Sequence, residues 1–338
     1  MAEITDSPDI KQWSEFIYNH PQGNIFQTPE IAEVYKRTKN YEPITLAAIN
    51  TKNEEILAVL QAVVIKEIGG FLGTFSARSI IQGGPLFVED EKGIKALKVL
   101  IEYYDKIAQR KALYTQIRNM WDTSSFSDFL NGNGYEYEEH LNFLIDLNCS
   151  KEDLFNNMKR DKKRAIKKAK GRGVKVVKED KTALSIFYEI LQETYDKTKL
   201  PLADISLFES VFDTLVPNNM ANLYMAKYNG IYIGGRVTLN YKNVIYDWFA
   251  CSSHEYLSMY PNELIVWHIL ENGIDNGYEV FDFGGAGKPD KEYGVRDFKK
   301  QFGGKPVNYG RYCKVHLPIK MKIAEKGFSI YRKKFFRK

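Results

Sequence analysis

Residues 277–304 read GYEVFDFGGAGKPDKEYGVRDFKKQFGG, and the fold turns on how this stretch is understood. A short β-rich run, Val280-Phe281-Asp282-Phe283, stops at Gly284-Gly285. A charged loop follows, and then a segment ending Phe298-Lys299-Lys300-Gln301-Phe302-Gly303-Gly304. A buried strand that ends in glycines leaves open backbone at the edge of a sheet, where ligands bind. The sequence sets a cationic segment next to that opening.

The chain around this stretch alternates helices and strands. Ser150 is placed to cap a helix over 153–170, with Asp153 as its capping-box partner. Leu154, Phe155, Met158, Ala165, Ile166 and Ala169 then share one side of it. A strand is expected at 174–177 and helices at 184–198 and 205–215. Asn229-Gly230, between apolar runs at 221–228 and 231–240, is a strong hairpin signal. A third antiparallel strand follows at 244–250. Pro261 suits the first position of the next helix. The glycine-ended strand, the FKKQFG segment and a strand over 307–315 complete this half. The N-terminal half has a helix opening at Trp13 and another opened by Thr28 and Pro29. Strands are expected at 45–49 and 56–65, a strand running into a turn at 79–85, a helix at 92–110, and strands at 113–117 and 137–147. This order is that of a mixed α/β protein. The expected division is 1–147, 148–317 and a basic tail at 318–338.

Composition bounds the function. A chain of 338 residues can bury two hydrophobic cores. Cys149, Cys251 and Cys313 are odd in number and far apart, which points to a reducing compartment rather than a disulfide scaffold. The five histidines are scattered, with no CxxC or HExxH pattern, so no metal site is expected. The N-terminus is acidic and lacks an apolar core, unlike a signal peptide. No run approaches the roughly 18 apolar residues that span a bilayer, and a cytoplasmic protein is expected. The net charge of +5 conceals an asymmetry: 151–178 carries +9 and 314–338 carries +8, leaving −12 on the rest. Two basic segments on an acidic body suit contact with a polyanion or with the inner face of an anionic membrane. A solvated helix face and a loose tail would read the same way.

The segment from Gly277 to Gly304 resembles the end of the catalytic domain of the Fem family. The family signature there runs glycine, then Asp between two hydrophobic residues, then two glycines, and later F-K-x-x-F-G. Fem enzymes transfer amino acids from aminoacyl-tRNA onto peptidoglycan precursors and are related to the GNAT acyltransferases. The resemblance is closest over 241–312, looser over 146–240 and faint over 1–145. It implies an α/β (α+β) protein of two tandem GNAT-like domains, each a mixed, largely antiparallel sheet flanked by helices.

The resemblance also implies site residues. Phe298-Lys299 matches the family's substrate-site pair, and a lysine ammonium there would stabilise the oxyanion formed when an amine attacks an ester. Asp282, at the strand end before Gly284 and Gly285, either orients or deprotonates the attacking amine or holds the glycine turn. The basic helix resembles a family stretch of the form K-x-R-x-x-I-x-x-A. Its Arg160, Lys163, Arg164, Lys167 and Lys168 are candidates for tRNA phosphates, a diphosphate or anionic lipid. Lys197 stands where the family has a substrate-facing arginine, and lysine cannot make the bidentate fork. Lys36 is one place out of register with a family lysine. The chain has no room for the helical arm of longer members.

The stretch 252–261, where GNAT enzymes hold the pyrophosphate of a CoA donor, has no glycine and carries Glu255. This argues against acetyl-CoA and leaves no cofactor implied. Tyr256 and Tyr260 beside it suit either a substrate groove or interfacial packing. The tail interleaves Phe328, Phe335 and Phe336 with Lys and Arg, as membrane-surface helices do. The expected function is transfer of an amino acid from aminoacyl-tRNA to an amine of a cell-wall precursor. The alternatives are an N-acyltransferase acting on a surface-glycan sugar with an acyl-CoA or carrier-protein donor, and a non-enzymatic polyanion- or membrane-binding protein of the same fold.

Overall fold

The computed structural model describes residues 2–67, 75–198 and 201–324. The chain runs β1 (Ala2–Thr5), α1 (Ile10–Asn19), α2 (Pro29–Arg37), β2 (Tyr41–Asn50), β3 (Ile56–Ile65), β4 (Arg78–Gln82), β5 (Leu86–Phe87), α3 (Glu91–Lys111), β6 (Tyr114–Arg118), α4 (Ser127–Gly132) and β7 (Glu136–Glu138). It continues β8 (Leu141–Asp146), α5 (Lys151–Asn157), α6 (Arg160–Gly171), β9 (Lys175–Glu179), α7 (Leu184–Thr198), α8 (Ile205–Thr214), β10 (Ala221–Tyr228), β11 (Ile231–Tyr241), β12 (Val244–Ser252) and α9 (Pro261–Asp275). It ends β13 (Val280–Gly285), α10 (Gly294–Lys300), β14 (Lys305–Asn308) and β15 (Arg311–Val315). Residues 318–324 are helical, and the tail from 325, with its phenylalanines, lies outside the described residues.

Two compact units emerge, one of residues up to Glu138 together with those from Tyr309, the other Glu139–Asn308. This differs from a contiguous division at 147/148. Residues 137–147, which read as one strand, are β7 in the first sheet and β8 in the second. Residues 307–315, likewise read as one strand, are β14 in the second sheet and β15 in the first. Gly310, in the left-handed conformation at φ 65°, separates that second pair.

In the first unit the sheet order is β1-β2-β3-β4-β6-β15-β7, with β5 also on β3. Among these pairs β4 and β6 are parallel and the others antiparallel. A parallel neighbour needs a crossover, and α3 lies between them in sequence. Asp90 caps α3, and Leu97, Leu100, Ile101 and Tyr104 join Leu46, Leu60 and Ile81 in one core. Each such side chain contributes roughly 1.5–3 kcal/mol by burial.

The second unit repeats the plan. Its order is β14-β8-β13-β12-β11-β10-β9, and β12 with β13 is the parallel pair. The hairpin turns at Asn229 and Gly230, φ 48° and 83°, the paired positive values that Asn-Gly supplies. The core gathers Ile265, Trp267, Ile269 and Leu270 of α9 with Ile166 and Ala169 of α6 and with Phe281, Phe283 and Phe302. Phe281 and Phe283 share a face because side chains alternate along a strand, and that alternation sends Asp282 to the other face. The helix expected over 153–170 is two. Ser150 Oγ accepts from the Asp153 N–H at 3.0 Å and starts α5. The chain then extends at Met158 and Lys159, where the Lys159 N–H is taken by the Gln301 carbonyl at 2.9 Å.

Candidate active site

Strands β12 and β13 pair from Val244↔Val280 to Tyr246↔Asp282 and then part. Beyond that point β12 continues along β11, and β13 turns at Gly284. Gly284 has φ +68°, and a Cβ there would stand 3.1 Å from the Tyr246 hydroxyl and 3.3 Å from the Asp247 carbonyl oxygen. Only glycine gives both that backbone and that approach. Asp282 fixes the turn: its Oδ1 accepts from the Gly284 N–H at 2.7 Å and from the Asn142 side-chain amide at 2.7 Å. Burial pushes the Asp282 carboxyl above its ordinary value, against these two hydrogen bonds and the nearby Lys299 charge.

Lys299 comes to this strand end from α10. Its Nζ donates to the carbonyl oxygens of Phe283 at 2.6 Å and Gly285 at 2.9 Å, with Gly284 at 3.4 Å. An ammonium has three donors. Two are well engaged and the third only weakly, since 3.4 Å is long for such a bond. The side chain is partly exposed. Burial pushes its pKa below the ordinary value, Asp247 and Asp282 oppose this, and Arg236 adds to it.

Phe298, its neighbour, faces the core rim rather than open solvent. Its ring lies 5.1 Å from that of Phe302, and Lys162 Nζ stands 3.9 Å above it. Lys162 also pairs with Glu263 at 2.8 Å. Although it stands among the cations of α6, Lys162 is buried and ties α6 to α9 and α10. Gly303 closes the segment at φ +87°, where a Cβ would meet the Asn157 carbonyl oxygen at 2.9 Å.

A GNAT acetyltransferase domain matches residues 156–300. Lipid II:glycine glycyltransferase of Staphylococcus epidermidis is 20% identical, over 87% of this chain and 88% of the relative. The Staphylococcus aureus protein of that name is 20% identical, over 85% and 87%. Among solved structures, FemX superposes with a TM-score of 0.72 at 19% identity, covering 95% of this chain and all of FemX. The chain is an acyltransferase with a GNAT domain, and it is similar to the Fem proteins. A tandem GNAT protein of clavulanic acid biosynthesis, TM-score 0.57 at 9% identity, shares the two-domain fold over 94% of this chain and 99% of its own.

In this Fem-like chain the other expected residues fall in separate places. Arg160, Arg164, Lys167 and Lys168 are exposed along α6, and Lys163, half-buried, reaches the Asn156 carbonyl at 3.1 Å. Lys168 and Arg172 lie 5.9 and 5.8 Å from the ring centre of Tyr260. Tyr260 heads α9 in the left-handed conformation, φ 58°, rare for a bulky residue. Tyr256 packs against the core, 6.4 Å from the Tyr228 ring. Residues His254–Met259 form a 3-10 helix with Glu255 exposed in its first turn, so the stretch at the place of a pyrophosphate loop is helical and acidic. Lys197 is exposed at the end of α7 in the second unit, and Lys36 is exposed in the last turn of α2 in the first. Among the described residues no helix is long and apolar enough to cross a membrane.

Sequence reading missed three residues. Arg296 donates to the carbonyls of Ala286 at 2.9 Å, Lys291 at 2.8 Å and Pro289 at 3.2 Å, and also to that of Lys288. It orders the loop between β13 and α10. Arg236 and Asp247 form a buried ion pair, 4% and 8% exposed. Each is a lone charge inside an apolar strand, IYIGGRVTLNY and VIYDWFACS, and buried charges are paired. That was the available signal.

Proposed function

We propose that the chain transfers an aminoacyl group from aminoacyl-tRNA to an amine of a peptidoglycan precursor. What carries the reading is the Lys299 ammonium, seated on the glycine-ended strand where β12 and β13 part, in a chain whose relatives are lipid II:glycine glycyltransferases. The neutral amine of the acceptor attacks the ester carbonyl carbon. A C–N bond forms, and the carbonyl oxygen takes up negative charge. The weakly engaged N–H of Lys299 meets that oxyanion. Collapse breaks the C–O bond, and the tRNA hydroxyl leaves with the proton lost by the amine. No covalent protein intermediate is needed, since the donor ester is already activated.

Asp282 has its role, in this reading, in holding the Gly284 turn, so that the carbonyls that seat Lys299 stay in place. Phe298 fixes α10, and Gly284 and Gly285 present the strand end. The exposed cations of α6, with Lys168 and Arg172 at Tyr260, take the phosphates of the tRNA acceptor end. Lys197, exposed at the end of α7, takes an anionic group of the acceptor. The basic tail brings the enzyme to the cytoplasmic face of an anionic membrane, where a lipid-linked acceptor lies.

The test is transfer from a pool of charged tRNA to lipid II, read by mass spectrometry of the acceptor. An added amino-acid residue, abolished by ribonuclease treatment of the donor, is the expected result. Acceptor unchanged by charged tRNA under any condition would overturn the reading.

A further inference from the structure

Strands β11 and β12 carry a register slip between Val237 and Thr238. Val237 faces Phe249 and Thr238 faces Asp247, so Trp248 is an extra residue. Such bulges re-aim side chains and gather beside active sites. Here the bulge shortens the reach between Asp247 and Arg236, which is in register with Ala250. The resulting pair is enclosed in the second unit, and Asp247 is the residue at which β12 leaves β13. Its own carbonyl lies against Gly284, one of the carbonyl residues facing Lys299 Nζ. Arg236 Nε and Asp247 Oδ1 have no hydrogen-bond partner among the described residues. The pair is therefore not spent wholly on itself, and each partner keeps one buried polar atom without a hydrogen bond.

We propose that Arg236 and Asp247 are a positioning pair for Lys299: the carboxylate, held in place by the guanidinium, keeps the ammonium charged and seated on the carbonyls of Phe283 and Gly285. The charged groups whose fields reach Lys299 are Asp247 from β12, where that strand parts from β13, Asp282 from β13 and Arg236 from β11. Asp282 already spends Oδ1 on Asn142 and Gly284. Asp247 is the stronger of the two acidic influences on Lys299, and it outweighs Arg236. Neutralising Asp247 alone leaves Arg236 as an uncompensated cation near the ammonium. Neutralising both removes the pair's net contribution and no more.

The inference rests on the reading of Lys299 given above, but its test does not require transfer activity. An amine-reactive ester labels only the neutral form of a lysine, so the rate of labelling at Lys299, followed by peptide mass spectrometry across pH, reports its titration. In Asp247→Asn the midpoint falls by about one pH unit or more. In the double variant Arg236→Gln with Asp247→Asn it lies between that of Asp247→Asn and wild type. Cooperative thermal unfolding checks that each variant is folded. Should Asp247→Asn fail to fold, the double variant decides alone. A midpoint below wild type supports the pair, and one at or above wild type overturns it. An unmoved midpoint in a folded Asp247→Asn also overturns it. A shifted midpoint in a protein that transfers nothing from charged tRNA would keep the pair and remove the proposed reaction.

Discussion

Lys299 Nζ lies 2.6 Å from the carbonyl oxygen of Phe283, the residue before the left-handed Gly284. The ammonium thus closes the open end of the strand, and it has one N–H left weakly engaged at 3.4 Å. Lys299→Ala removes the proposed oxyanion donor, and transfer should fall by about 10²-fold or more. The KM for charged tRNA should change far less than kcat. An unchanged kcat would take Lys299 out of the chemistry.

Asp282 separates a turn-holding carboxylate from a catalytic base. Asn at 282 keeps an oxygen to accept from Gly284 and Asn142, whereas Ala leaves both donors unmet, at a cost of about 2 kcal/mol. The pH dependence follows from burial, which raises this carboxyl above its ordinary value. As pH falls, the native state takes up the proton before the unfolded chain does. The group's contribution is therefore fully present below the ordinary carboxylate range and lost as pH rises through the folded value. Urea unfolding should show this acid-side gain in wild type and not in Asp282→Asn. Transfer should survive in Asp282→Asn; loss of kcat in a stable variant would make Asp282 the base.

Lys162 pairs with Glu263 and covers the ring of Phe298. Lys162→Met should destabilise by about 3 kcal/mol, since it strands a largely buried carboxylate. Adding Glu263→Leu should restore most of the loss. A double variant no more stable than the single would mean that the two side chains are not coupled.

The exposed cations of α6 bear on the donor. Replacing Arg160, Arg164, Lys167 and Lys168 by Gln should weaken tRNA binding and flatten its dependence on salt, because fewer phosphates are neutralised. Lys162 is excluded from this set because its side chain is buried. Equal affinity and slope in the variant would leave the basic face a solvated one.

Local chemistry made much of the fold legible. Thr28 accepts from the Ile31 N–H with Pro29 next in line, Ser150 caps α5, and Asn229-Gly230 turns the hairpin. Each of these acts within a few residues. The breaks at 139–140, 158–159 and 309–310 were not legible, because distant partners make them. Strand β8 is claimed by β13 and β14, Lys159 by Gln301, and β15 by β6. Lys162 was hidden among lysines of the same spacing and is told apart only by Glu263 and the two phenylalanines beneath it. The place of Lys299 beside the glycine strand end followed from the motif. Its seat on three carbonyls, and the Arg236–Asp247 pair behind it, depend on where β12 and β13 part.

The proposed donor is an aminoacyl ester in place of a thioester. The most direct test offers the enzyme charged tRNA and acetyl-CoA in parallel, with lipid II as acceptor, and weighs the product. The stretch leading into α9 lacks glycine, is helical and carries Glu255, which repels a pyrophosphate. The predicted result is addition of an amino-acid residue from charged tRNA and no acetylation at millimolar acetyl-CoA. Acetylated acceptor, with no transfer from charged tRNA, would contradict it.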